Sequence, residues 1–159
     1  MTVVSPDRIE GALLESEHRR VRGGLSLLEE GLDRAHTMSR SAAVDQVVRT
    51  LGWLRRDLLP HAAWEEAWLY PHLDATTGTP WATRTLRFEH EQIRDLAAQL
   101  EGAFSSTDER WSLADAFRLV IALARLESVV SAHLAKEHWF IAPLLESPER
   151  ELQHEGGAP

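Results

Sequence analysis

Cysteine is absent from the 159 residues, and that one absence removes disulfides, zinc fingers, iron–sulfur clusters and thiol catalysis together. Glycine and proline are sparse, at nine and seven, so breaks are few and the segments between them long. Apolar runs are short: none reaches the ~18 residues of a membrane span. The most apolar stretch, Ala116 to Val130, is interrupted by Arg118, Arg125 and Glu127. The first residues lack a basic start followed by an apolar core, so no signal peptide is read there and the expected compartment is the cytoplasm. Positive charge is in deficit, with 17 Lys+Arg against 25 Asp+Glu and a formal charge of −8. Sequence-independent nucleic-acid binding rests on neutralising phosphates with cations, so neither nucleic acid nor a membrane is an expected partner. What the chain does have in excess is 8 His and 6 Trp, in a length that suits one domain with a real core.

Three polar breaks, around Thr37–Ser41, Thr76–Pro80 and Ser105–Asp108, leave four long segments rich in Leu, Ala, Arg and Glu, all good helix formers. The first is expected from Pro6 to His36, with Ser5 as its cap and Pro6 at the first helical position. Its apolar residues, among them Val21, Leu25, Leu28 and Leu32, recur at steps of three and four. The second is expected from Ala42 to Leu73 with Ser41 as its cap, and the third from Pro80 to Phe104 behind Thr79. The fourth is expected from Trp111 to Leu145. No segment alternates like a half-buried strand. Pro60 lies inside the second segment beside His61, where it predicts a kink or a break into two helices. Four such segments with short connections imply an all-α, antiparallel four-helix bundle over residues 1–148, with a frayed tail at 149–159.

The chain also repeats itself. At an offset of 72 residues His18 meets His90, His61 meets His133, Glu65 meets Glu137 and Pro71 meets Pro143. Glu17-His18-x-x-Val21-Arg22 is echoed by Glu89-His90-x-x-Ile93-Arg94. The first two segments are thus a copy of the last two, and the bundle should have an approximate two-fold axis. Within each His-x-x-x-Glu pair the two residues share one helix face, a turn apart. His18 and His61 each lie about 21 residues from the first break, hence ~30 Å from that loop and level with one another. The same arithmetic brings His90 and His133 level. Four imidazoles and two carboxylates in one interior layer would be costly without partners. A pair of divalent metals satisfies them all: His18 and His61 for one, His90 and His133 for the other, with Glu65 and Glu137 bridging. Mixed nitrogen and oxygen donors without sulfur suit iron, manganese or zinc, and two carboxylate bridges favour two iron ions.

The pattern His18 … His61-x-x-x-Glu65 … His90 … His133-x-x-x-Glu137 resembles the hemerythrin-like domain, the doubled His/His-x-x-x-Glu cassette of HHE cation-binding proteins, over about residues 9 to 146. The resemblance implies an up-down-up-down bundle around an oxo- or hydroxo-bridged di-iron centre. It also implies chemistry with O2, nitric oxide or peroxide, or a role in iron or redox sensing. Oxygen-carrying members place a further histidine one turn after the third-helix ligand, where this chain has Arg94. They also use an aspartate five residues after the fourth-helix histidine, where this chain has Glu137 at four. It therefore looks like the more varied bacterial branch. Ferritin-like bundles use Glu-x-x-His; Glu15-x-x-His18 matches once, but its repeat mate is Arg87, which excludes that family.

Other polar residues are weighed against ordinary surface roles. His36 lies ~27 Å along its helix from His18 and His72 ~16 Å from His61, and His154 is in the tail. His138 points ~100° away from Glu137. Glu66, Tyr70, Glu89 and Glu91 are the side chains placed to give a fifth ligand or to hold a ligand's outer nitrogen. Trp53, Trp64, Trp68, Trp81, Trp111 and Trp139 are expected to fill core space or wall the metal pocket. The Arg19-Arg20-x-Arg22 cluster reads as a solvated helix face. The leading function is a di-iron protein that binds, senses or detoxifies a small oxidant. An enzyme that disproportionates peroxide or reduces nitric oxide, an iron storage or delivery protein, and a metal-free interaction bundle are the alternatives.

Overall fold

Proline sets where these helices change pitch. The computed structural model describes residues 6–104 and 112–143, with side chains from residue 16 onward apart from those of 36, 82, 103 and 104. Among the described residues there are four helical rods and no strand. The first rod is α1 (Pro6–Arg34), closed by a short 3-10 turn at Ala35–Thr37. The second runs unbroken through α2 (Arg40–Trp53), α3 (Leu59–Trp64) and α4 (Tyr70–Thr77). The third is α5 (Trp81–Phe104), and the fourth is α6 (Leu113–Lys136) with the turn that follows it. Three π-helical turns lie in these rods, at Leu54–Leu58, Glu65–Leu69 and Glu137–Ile141. Each ends two residues before a proline: Pro60, Pro71 and Pro143. A proline lacks an N–H and its ring collides with the carbonyl four residues back. Widening the preceding turn, so that Leu59, Tyr70 and Ala142 donate to carbonyls five residues earlier, makes room for the ring without ending the helix. The expected kink or break at Pro60 is therefore a widened turn inside a continuous rod.

The ends of the rods follow capping chemistry, with small shifts from expectation. The second rod starts at Arg40 rather than Ala42. Its cap is Ser39, whose hydroxyl accepts from the Ala42 N–H at 3.3 Å, rather than Ser41. The rod extends to Thr77 and stops at Gly78, which takes the left-handed conformation at φ 68°. Pro80 sits at the cap of α5, its carbonyl accepting from Arg84, while Thr79 Oγ1 accepts from the Trp81 N–H. For α6, Ser112 and Asp115 form a reciprocal capping box. Ser5, the break at Ser105–Asp108, Trp111, Leu145 and the tail lie outside the described residues.

Each rod packs against two others: α1 on α2 and α6, and α5 on α6 and on the second rod. Their apolar faces build two clusters. The larger joins Val21, Leu28, Val47, Leu54, Leu58, Ile93, Leu100, Leu123, Leu126 and Val130. The smaller joins Leu69, Tyr70, Leu73, Leu86 and Ile141. Between these clusters along the rods fall His18, His61, Glu65, His90, His133 and Glu137. The tryptophans do not fill the core as expected. Trp53 is buried and Trp64 partly so, but Trp68, Trp81 and Trp139 are 72%, 73% and 70% exposed. No described helix is long and apolar enough to cross a membrane.

Candidate metal centre

A polar layer inside an apolar bundle must satisfy its own donors and acceptors. Here the layer is sealed: His18 is 3% exposed, His61 1%, and Glu65, His90, His133 and Glu137 0%. One α-helical turn separates His61 from Glu65 and His133 from Glu137. The Glu65 and Glu137 N–H groups donate back to the His61 and His133 carbonyls. Both π turns begin on these glutamates, so the backbone widens just beyond each carboxylate. α1 and α5 each contribute one imidazole, His18 and His90.

The two carboxylates lie between the two histidine pairs and offer one oxygen to each. Glu65 Oε1 is 3.2 Å from His61 Nε2 and 4.0 Å from His18 Nε2. Its Oε2 is 3.3 Å from His90 Nε2 and 3.8 Å from His133 Nε2. Glu137 Oε2 is 2.9 Å from His18 Nε2, and its Oε1 is 3.3 Å from His133 Nε2. Two groups of donors result: His18, His61, Glu65 and Glu137, and Glu65, His90, His133 and Glu137. Within each, the facing atoms lie within 4.8 Å of one another. His18 Nε2, His61 Nε2, Glu65 Oε1 and Glu137 Oε2 are buried and, despite their short separations, none is aligned for a hydrogen bond. Nitrogen and oxygen atoms crowded on one point without aligned hydrogen bonds among them are what a divalent cation relieves, so the residues fit one. Oxygen and imidazole donors without sulfur suit iron, manganese or zinc.

The groups that hold the outer nitrogens of these histidines are distributed unequally. His90 Nδ1 lies 2.8 Å from Glu66 Oε1, and Arg94 donates to the same oxygen twice at 3.1 Å. His133 Nδ1 lies 3.2 Å from Glu89 Oε2, and Lys136 pairs with the other Glu89 oxygen. Tyr70 donates its phenol hydrogen toward Glu137 Oε1 at 2.9 Å and Glu65 Oε2 at 3.2 Å, and its oxygen lies 3.5 Å from His90 Nε2. These contacts all belong to the His90/His133 side. On the other side Trp64 stacks against the His61 ring at 6.5 Å between centroids.

Burial and these contacts set the charges. Burial lowers the His61 pKa, and the charges of Glu65 and Glu137 only partly offset it, which keeps that imidazole neutral. Burial also opposes a charged His133, but the Glu137 charge and the bonds to Glu137, Glu65 and Glu89 outweigh it and raise the pKa well above the ordinary value. The same pairing holds Glu137 well below the usual carboxylate range against its burial. Tyr70 is pushed far upward, first by burial and then by the charges of Glu137 and Glu65, so its phenol keeps its proton.

Of the further candidates named from sequence, Glu66, Tyr70 and Glu89 reach this layer. Glu91 is exposed and lines a surface groove between α5 and α6 with Gln92 and Asp95. His72 and His138 are exposed, as are Arg19 and Arg20; the side chain of His36 and all of His154 lie outside the described residues. Arg94 and Lys136 were missed as partners. The only signal for Arg94 was its place one turn after His90, where the Arg22 repeat mate drew equal notice.

Residues 11–145 match the family model for the hemerythrin HHE cation binding domain. No curated protein and no solved structure matches the chain.

Proposed function

Because the chain belongs to the hemerythrin HHE cation-binding family, we propose that it holds two iron ions in this layer, binds or senses a small oxidant there, and works in the cytoplasm. O2, nitric oxide and peroxide are the candidate ligands, and the bundle runs up-down-up-down. The observation that carries the reading is that each buried glutamate presents one oxygen to each histidine pair. His18 and His61 would hold one ion, His90 and His133 the other, with Glu65 and Glu137 bridging. Iron, when bound, supplies reversible electron transfer and a coordination position left over by four histidines and two glutamates.

The chain's own residues do the rest. The two apolar clusters keep water from the layer, which strengthens every electrostatic interaction inside it. Glu137, held ionised by its pairing with His133, and Glu65 beside it present the acidic oxygens that would offset the cations. Tyr70 holds a proton at its phenol oxygen beside both carboxylates. A second reading is that the protein turns over peroxide or nitric oxide, with Tyr70 positioning the two carboxylates through its hydroxyl.

Metal quantitation with an optical spectrum tests the first reading: about two irons per chain and near-ultraviolet bands are expected. Glu65→Ala and Glu137→Ala should each lose at least one iron; retention of both by either variant overturns the bridging role. Repeated oxygen release from peroxide by iron-loaded protein, slowed in Tyr70→Phe, would select the enzymatic reading.

A further inference from the structure

The internal repeat matches all six candidate ligands across the two halves, but it fails at the residues behind them. Glu66, which holds His90 Nδ1, has His138 as its repeat mate, and His138 is exposed. Glu89, which holds His133 Nδ1, has Glu17 as its mate. Glu17 keeps its carboxylate but turns it to Arg20 on the same helix, with its side chain 27% exposed. Lys136, the cation that fixes Glu89, has Trp64 as its mate. The outcome is visible at His61: its Nδ1 is fully buried and has no hydrogen-bond partner.

This difference acts on how well each imidazole is prepared for a cation. A carboxylate on Nδ1 holds a proton on that nitrogen, so that Nε2 is the atom left to bind an incoming cation. It also fixes the ring's rotation and raises its basicity. His90 and His133 both have this support, from carboxylates that are themselves braced. Arg94 donates twice to the Glu66 oxygen that meets His90, and Lys136 pairs with the Glu89 oxygen that His133 leaves free. Among the described residues neither His18 nor His61 has a carboxylate on its outer nitrogen. The His61 ring is positioned by the Trp64 stack and by an edge-on contact with His18 at 5.1 Å.

Resting on the di-metal reading above, we propose that the two cation positions are inequivalent. Glu66 and Glu89 are positioning residues that make the His90/His133 position the tight one, filled first. The His18/His61 position fills second and exchanges more readily, so the protein can exist half-loaded.

Anaerobic calorimetric titration of the metal-free full chain with ferrous iron tests this. Two uptake steps separated by about tenfold or more in affinity are expected, and Mössbauer spectra at one equivalent should show one iron environment, with a second growing in afterwards. Glu66→Gln and Glu89→Gln keep the side-chain shape and remove the charge. Each should weaken the first step roughly 10- to 100-fold and leave the second unchanged. A purely structural role would shift both steps together. Two environments filling in parallel at one equivalent, or variants that weaken both steps or only the second, overturn the proposal while leaving the di-metal reading intact. No iron uptake by folded wild-type protein overturns the reading beneath it. The wild-type Mössbauer result stands even if a variant does not fold.

Discussion

Tyr70 shows how one hydroxyl can tie two carboxylates together. It donates to Glu137 Oε1 and Glu65 Oε2, both of which face His90 and His133. A hydrogen bond to a charged group contributes about 1.5–3 kcal/mol. Tyr70→Phe should therefore lower the stability of metal-free protein by about that amount in denaturant unfolding. With metal bound, the same oxygens gain a cation and the loss should shrink. An equal loss in both forms would mean that a bound cation does not take over the oxygens that the phenol holds. Glu66 and Glu89 give a pH signature. Their folded-state pKa values lie below the ordinary glutamate value. Such groups stabilise the fold above the unfolded-state pKa, and that stabilisation is lost as pH falls through the depressed folded value. In metal-free protein, the stability difference between wild type and Glu66→Gln should be present at neutral pH and fade in acid. A difference that grows in acid would contradict the assigned direction. The six ligand candidates could be read from sequence because their spacing is set by helix geometry. The roles of Glu66 and Glu89 could only be named as options, because spacing along one helix does not tell which partner stands across the bundle.

Neighbouring glycines in α1 differ sharply in what surrounds them. A Cβ on Gly23 meets nothing within 4 Å, whereas one on Gly24 would lie 1.8 Å from Cε2 of the buried Trp53 ring. In an open helix interior, Gly→Ala gains about 1 kcal/mol. Overpacking a rigid ring costs about 1–3 kcal/mol. Gly23→Ala should raise the thermal midpoint and Gly24→Ala should lower it; the same sign for both would show that Trp53 is not held against α1. At the start of α6, Ser112→Ala breaks the capping box and should cost about 1 kcal/mol. The helices themselves were legible because apolar periodicity and caps are local signals. The second rod's start at Ser39 rather than Ser41 was not, since three serine or threonine residues lie within five positions and only the fold selects one. The π turns were also hidden: proline in a helix can kink, break or widen it, and neighbouring helices decide which. At Pro71 and Pro143 the widened turns begin on Glu65 and Glu137, so helix irregularity and site geometry are set together.

Across the described bundle, the polar layer is a weak plane in a largely apolar interior. Four imidazoles and two carboxylates interrupt the packing between the larger and smaller clusters. Several of their atoms lack a hydrogen-bond partner. Each unpartnered buried polar group costs roughly 1–3 kcal/mol. A cation that binds only the folded chain relieves that cost as part of its binding free energy, and stabilises the fold by about 4 kcal/mol per site at a free concentration near a thousand times Kd. For a chain of 159 residues, each kcal/mol moves the midpoint by roughly 2–4 °C. Stripping the metal with a chelator should therefore lower the melting temperature by about 8 °C or more for each site emptied. The unequal support of the two histidine pairs predicts that this happens in two stages. A mild chelator should first produce a half-loaded protein with an intermediate melting temperature, and a stronger one the metal-free form. Calorimetric scans at increasing chelator strength would reveal the plateau. A single transition straight from loaded to metal-free stability would show that the two halves of the layer empty as one, whatever the asymmetry behind them.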